Sequence, residues 1–333
     1  MQITPDRPIR WGIAGPGRMA EVFVKDFAHV EGAVVQAVGS RSQERASAFA
    51  EAHAIPTAHG SYQELCADPE VDVVYVATPH PQHRDVALMA IAQGKAVLVE
   101  KSFTATLAGS REVVEAARAA GVFCMEAMWT RLQPLTRELH RIVETGEIGT
   151  VRAVQGDLFA QRDYNPDDRL FAKELGGGAL LDLGVYVLSF AQDFLADANQ
   201  MQVTGAHYPN GVESQAAIAL GYESGAIASL AVSLQAAGPG RFAITGERGW
   251  IDVKPRFHHP VEAVVHVKGG EQRTVRAEAR GTGYSHEIDE VNRCLRAGLT
   301  ESPVLPLDGT LAVMAQLEQA LHALGVEQHE QGI

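Results

Sequence analysis

Trp11-Gly12-Ile13-Ala14-Gly15-Pro16-Gly17-Arg18-Met19-Ala20 follows a short apolar run and opens a helix-like pattern. Gly15, Gly17 and Ala20 fill the three positions of a G-x-G-x-x-G/A turn. The first glycine permits a tight turn, and the second lets a pyrophosphate approach bare backbone. The small third residue lets the helix pack closely on its strand, with phosphates at the helix N-terminus. The motif stands in the strand–turn–helix setting it requires. Gly15, Gly17, Arg18 and Met19 are therefore candidate dinucleotide contacts.

The first third of the chain continues as alternating strands and helices. Strands are expected at 9–14, 33–38, 71–77 and 96–99, with another starting at Phe123. Helices are expected at 19–28, 43–53, 81–93 and 107–120. Near-continuous apolar runs such as 71–77 suit strands buried on both faces, and the alternation implies a parallel, doubly wound sheet. After about Gly149 the texture changes to period-2 segments at 151–159, 214–220, 226–234, 241–253 and 262–267. These predict a mostly antiparallel sheet, interrupted by a helix over 178–195 and followed by helices near 285–297 and 307–324. The expected architecture is an α/β Rossmann domain (1–128) plus an α+β domain (129–333) with a large, mostly antiparallel open sheet.

The length of 333 residues suits two domains, and 46% hydrophobic residues is ordinary for a globular chain. A net charge of −13 offers no basic surplus to neutralise phosphates, which argues against nucleic acid as a partner. Cys66, Cys124 and Cys294 are scattered and odd in number, which fits reduced thiols in a cytoplasmic protein. No C-x-x-C or H-x-x-x-H pattern suggests a metal. The start Met1-Gln2-Ile3-Thr4-Pro5-Asp6 lacks a basic n-region with an apolar core, so no signal peptide is expected. No apolar run is read as long enough to cross a membrane.

Dinucleotide enzymes that use NAD usually place an acid at the tip of strand two, on the ribose 2′-hydroxyl. Here that tip reads Ala37-Val38-Gly39-Ser40-Arg41-Ser42, with no acid. Ser40 and Arg41 offer a hydroxyl and a guanidinium to a 2′-phosphate, and Arg45 lies one helical turn further on. The pattern points to NADP rather than NAD, although a solvated loop arginine would read the same way.

Two segments can carry reacting groups. The strand over 96–99 ends in Glu100-Lys101-Ser102, at the sheet edge where ligands bind in such folds. From spacing alone, Lys101 could equally be a solvated strand-end lysine. In Gly176-Gly177-Gly178-Ala179-Leu180-Leu181-Asp182-Leu183-Gly184-Val185-Tyr186, the glycines let something approach the backbone. Asp182 and Tyr186 fall four apart, on one face of a helix. A carboxylate and a phenol on an apolar helix are costly to bury unless used or paired. The pair could also be a buried tyrosine satisfied by Asp182.

Together, the glycine turn, Ala77-Thr78-Pro79-His80-Pro81-Gln82-His83, Glu100-Lys101, Met125-Glu126-Ala127-Met128-Trp129-Thr130-Arg131 and the Asp182/Tyr186 helix resemble the glucose-fructose oxidoreductase and inositol dehydrogenase family. The resemblance runs through essentially the whole chain. Tyrosine at 186, where many members carry histidine, and the run 126–131 resemble its dimeric dihydrodiol dehydrogenase and NADP-linked D-xylose dehydrogenase branch. The resemblance implies an NADP-dependent oxidoreductase acting on a polyol, sugar or diol. Carried across, Lys101 and Tyr186 are the catalytic pair, and Asp182 orients the site or binds substrate. Thr78, Pro79 and His80 line the nicotinamide ribose, Glu100 supports that end, and His83 counts among the cofactor contacts. Trp129 and Phe159 form an apolar wall for substrate. Arg131, Arg162 and Arg169 can meet polar groups, though surface placement is ordinary for arginine. One departure is Ser102, where the family usually has proline.

Tyr186 is then expected to exchange a proton with the reacting oxygen while hydride moves between that carbon and nicotinamide. A free phenol near pKa 10 is a poor base at neutral pH, and a nearby ammonium favours its ionised form. The alternative is a non-catalytic NADP(H)-sensing protein of the same fold. The joint presence of Lys101, Asp182 and Tyr186 favours retained chemistry. An antiparallel sheet with helices on one face leaves the other to pair with a twin, so a homodimer through the C-terminal sheet is expected.

Overall fold

The computed structural model describes residues 7–278 and 280–333. Six strands form a wholly parallel sheet: β1 (Ile9–Ala14), β2 (Ala33–Gly39), β3 (Thr57–His59), β4 (Val73–Val76), β5 (Ala96–Glu100) and β6 (Cys124–Ala127). Their order is β3-β2-β1-β4-β5-β6. Every residue of β4, β5 and β6 is buried, as a parallel sheet covered on both faces requires. The order reverses between β1 and β4, where such sheets open a ligand crevice. At that point Gly15 has φ +96°, and a Cβ on it would lie 3.0 Å from the Ala77 carbonyl oxygen and 3.2 Å from Thr78 Cγ2. The glycine turn and the segment after β4 are thus in direct contact. Strand β3 and the helix Tyr62–Ala67 have no counterpart in the sequence expectation, because both are too short to show a period.

Residues 280–311 and 329–333 join the first unit, so the second (residues 129–278 and 312–328) is smaller than the span 129–333 expected above. The reason is a buried carboxylate. Asp26, 1% exposed, accepts from Thr282 N (2.8 Å), Thr282 Oγ1 (2.9 Å) and Ser285 N (2.9 Å), at the start of the helix Ser285–Arg296. Trp11 Nε1 reaches the same helix and donates to Asn292 Oδ1 at 3.2 Å. Near the C-terminus, Glu330 accepts from Thr106 N (2.9 Å) and Thr106 Oγ1 (2.8 Å), before the helix Leu107–Ala120. Gln331 N donates to Pro81 O at 2.8 Å.

The second unit holds an eight-stranded sheet made of β7 (Val151–Phe159), β8 (Gln200–His207), β9 (Glu213–Gly221), β10 (Ile227–Ser233), β11 (Phe242–Gly246), β12 (Gly249–Val253), β13 (Glu262–Val267) and β14 (Arg273–Arg276). The order is β14-β13-β12-β11-β7-β10-β9-β8. Among the described residues of this sheet, only β7 and β10 pair in parallel. The mostly antiparallel sheet expected from the period-2 segments is therefore present. The expected single strand 241–253 is a hairpin: the buried positions are Phe242 and Ile244 in β11 but Ile251 and Val253 in β12, so the parity changes across the turn at Glu247-Arg248.

The expected α-helix over 178–195 begins instead as a π turn, Leu180–Gly184, and becomes α-helical at Val185–Leu195. The reading of membrane-length segments also needs correction. Lys173–Leu195 is long and apolar enough to cross a bilayer, but 78% of its most apolar window is buried inside the fold, as in a core helix. The three cysteines are buried and unbridged, and burial pushes Cys66 and Cys294 up to about 12, marking inert thiols.

Replacing Asp26 with Ala strips three hydrogen bonds from a buried helix start and should cost about 2–3 kcal/mol of stability. Urea denaturation of the variant measures it, and an unchanged midpoint removes the cap as the anchor of residues 280–296.

Candidate active site

The helix Arg18–Asp26 starts at Gly17, which makes no side-chain cap. A Cβ on Gly17 would meet nothing within 4 Å, so the backbone there stands open. Uncapped N–H groups at an open helix start suit a pyrophosphate. Arg18 beside it is exposed and Met19 half-buried. At the tip of β2, Arg41 and Arg45 are exposed, and neither side chain makes a hydrogen bond or ion pair among the described residues. Both oppose the upward shift that burial imposes on the Tyr62 phenol, so both guanidinium charges lie near that one ring. Ser40 is buried, and its hydroxyl accepts from Ser42 N at 3.2 Å.

The segment after β4 and the end of β5 are tied together. His80 Nε2 faces the Lys101 carbonyl at 3.2 Å. His83, 1% exposed, faces the Thr78 carbonyl with Nε2 (2.7 Å) and the Ser102 carbonyl with Nδ1 (3.0 Å). A neutral imidazole donates once, so the ring serves both carbonyls fully only when protonated. His83 thus ties the two loops together. Glu100 accepts from Tyr75 OH (2.5 Å) and from Lys101 N (3.1 Å), and the Lys101–Ser102 peptide bond is cis. Thr78 Oγ1 is buried without a partner among the described residues, and Pro79 directly precedes the short 3-10 turn His80–Gln82. An orphan hydroxyl, an uncapped helix and two unpartnered guanidiniums fit a dinucleotide.

In the second unit Tyr186 is 8% exposed, and Trp129 Nε1 donates to its hydroxyl at 3.1 Å. Trp129 stacks on His259 (4.9 Å, 18°), and His258 lies 5.4 Å from the Tyr186 ring. Thr130 Oγ1 donates to the His258 carbonyl at 2.6 Å, pinning that loop. Neither histidine was foreseen; the pair His258-His259 before Pro260, between two strands, is the only signal. Asp182 Oδ1 pairs with Arg169 at 3.3 Å, which brings two expected site residues together. Phe159 ends β7 half-buried, with its ring against Gly238. Arg131 is neither exposed nor available. Buried at 6%, it binds Ser189 O, Gln192 Oε1 and Asp193 and fastens the helix Val185–Leu195. The four-residue spacing of Asp182 and Tyr186 predicts one face of an α-helix. Asp182 lies instead in the π turn, a feature frequent at functional sites.

Residues 9–128 match the model of an oxidoreductase family with an NAD-binding Rossmann fold, and residues 136–252 match the GFO/IDH/MocA C-terminal domain. Trans-1,2-dihydrobenzene-1,2-diol dehydrogenase of Xenopus laevis is 36% identical over 326 residues, 95% of this chain and 98% of that protein. The human protein of the same name is 33% identical, covering 96% and 97%. Aldose-aldose oxidoreductase of Caulobacter crescentus, solved with glycerol, superposes with a TM-score of 0.87 at 25% identity, over 96% of this chain and 98% of that one. Levoglucosan dehydrogenase solved with NADH and levoglucosan shares the fold, with a TM-score of 0.88 at 19% identity over 96% and 98%.

Beneath the Glu100 end lies Glu287, fully buried, with neither carboxyl oxygen hydrogen-bonded among the described residues. Burial, then Glu100 and Asp26, hold its carboxyl well above the usual range. The raised value favours the protonated fold. That contribution is complete below pH 4.5, the ordinary value, and is lost as pH rises through the folded-state value. From pH 5 to 8 the wild type should therefore lose stability relative to Glu287→Gln. Urea midpoints across that range report the difference, and parallel curves would contradict it.

Proposed function

This chain belongs to the GFO/IDH/MocA oxidoreductase family, and from that premise we propose an NADP-dependent dehydrogenase with Tyr186 as general acid–base and Lys101 as its electrostatic partner. The chain is a dehydrogenase acting on CH–OH groups through an NAD(P)-binding Rossmann fold. The proposed substrate is a secondary alcohol, or its carbonyl, on a sugar, cyclitol or dihydrodiol. The relatives' names support a sugar or diol, and the flat faces of Trp129 and His259 suit a ring.

The observation that carries the reading is the Trp129 indole N–H on the Tyr186 oxygen. A donor on a phenol oxygen favours the ionised form, so it eases proton release and stabilises the oxygen that results. Positive charge from Lys101 acts in the same direction. In oxidation Tyr186 takes the substrate hydroxyl proton; in reduction it returns a proton to the forming alkoxide. Bound nicotinamide supplies the hydride acceptor or donor. Asp182, paired with Arg169, orients the polar side of the substrate. NADP rather than NAD is favoured by the unpartnered Arg41 and Arg45 and by the missing acid after β2. We also infer a homodimer through the second sheet, where Ile227 (60%) and Trp250 (47%) stand exposed.

Tyr186→Phe should lower kcat by about a thousandfold, within the span usual for acid–base catalysis, while NADPH affinity survives. Stopped-flow turnover on a diol or aldose, with NADPH fluorescence titration, separates the two, and near-normal kcat removes Tyr186 from the chemistry. Arg41→Ala with Arg45→Ala should raise KM for NADP+ by about 10–100-fold, the worth of charge-assisted hydrogen bonds, and leave KM for NAD+ nearly unchanged. Equal losses for both coenzymes would exclude the 2′-phosphate assignment.

A further inference from the structure

The run Gly176-Gly177-Gly178 lets something approach the backbone, and in the fold that something is protein. A Cβ on Gly177 would lie 2.9 Å from the carbonyl oxygens of Leu170 and Ala172. At Gly178, φ is +128°, and a Cβ there would overlap the Glu213 carboxyl group. Glu213 opens β9 and is fully buried. One carboxyl oxygen accepts from Leu180 N at 2.9 Å, the first residue of the π turn. The other makes no hydrogen bond among the described residues. The carboxyl group therefore sits at the start of the turn that carries Asp182 and leads directly into Tyr186.

We propose that Glu213 is a positioning residue, whose carboxylate pins the π turn at Leu180 and so sets the placement of Asp182 and Tyr186. The proposal rests on the reading of Tyr186 as acid–base. A carboxylate accepts an N–H more strongly than a neutral carboxyl does, and negative charge suits a helix start. Burial pushes Glu213 up to about 7, opposed by the N–H groups of Leu180 and of Glu213 itself. The pin therefore tightens and slackens across neutral pH. The ionisable groups on the elements around it are His207 on β8, Asp182 on the π turn, Tyr208 between β8 and β9, and Arg169, Lys173 and Glu174 before the glycines. Strand β10 carries none.

The test compares kcat against pH, from 5.5 to 9, for the wild type, Glu213→Gln and Glu213→Asp, with thermal melts and NADPH titrations on each. Gln keeps the shape and an acceptor for Leu180 N but removes the charge. It should melt cooperatively and bind NADPH within about twofold of the wild type. Its kcat above pH 8 should fall about tenfold, the order of one charge-assisted hydrogen bond, and the inflection near pH 7 should vanish. His258 and His259 are common to every variant, so their contribution cancels in the comparison. A Gln profile superimposed on the wild type overturns the proposal. If Gln does not fold, Asp carries the test: it shortens the reach but keeps the ionisation, so kcat should drop while an inflection remains. Unchanged kcat in Asp overturns the proposal. If Tyr186→Phe abolishes turnover while Glu213→Gln matches the wild type, positioning alone fails. If Tyr186→Phe turns over normally, the acid–base reading fails and takes this proposal with it.

Discussion

The first N–H groups of a helix have no partner within it, and burying them requires an acceptor from elsewhere. This chain meets the requirement three times with a distant carboxylate and a glycine that leaves it room. Asp26 binds the start of the helix Ser285–Arg296 beside Gly281, whose added Cβ would come within 2.6 Å of Asp26 Oδ1. Glu213 binds Leu180 beside Gly178, and Glu330 binds Thr106 beside Gly109. The helix Arg18–Asp26 breaks the pattern. Its start is Gly17, with open space above it and no side-chain cap. That open start is the one the dinucleotide reading needs.

Much of this was legible in the sequence where the determining contacts are local. The glycine turn, the buried parallel strands and the shift to period-2 texture each depend on neighbours within a few residues. The alternation implies a parallel, doubly wound sheet, whereas the strand order β3-β2-β1-β4-β5-β6 comes from the structure. Short elements were not legible, since β3 and the helix Tyr62–Ala67 are too brief for a period. The hairpin inside 241–253 shows in the sequence as a change of parity, from Phe242 and Ile244 to Ile251 and Val253, on either side of Glu247-Arg248.

The candidate site was legible by residue type more than by geometry. The run Gly176-Gly177-Gly178 signals room for an approach, but at Gly178 the approaching group is Glu213, 35 positions on, and at Gly177 it is the carbonyls of Leu170 and Ala172. Spacing cannot report such a partner. A four-residue spacing puts Asp182 and Tyr186 on one face at 3.6 residues per turn, whereas a π turn holds Asp182. His83 carried a polar side chain in a loop motif and turned out to face inward, onto two carbonyls. His258 and His259 went unnoticed because a loop between strands carries no period, and their neighbours Trp129 and Tyr186 lie far away in sequence.

The Asp26 cap joins two stretches separated by more than 250 residues. A ribosome releases this polypeptide from its N-terminus, so the Rossmann strands emerge long before Ser285 does. Until then Asp26 waits in a nascent chain without the amides it is built to receive, and Trp11 lacks Asn292. The first unit therefore completes this cap only after residues 129–279 have been synthesised.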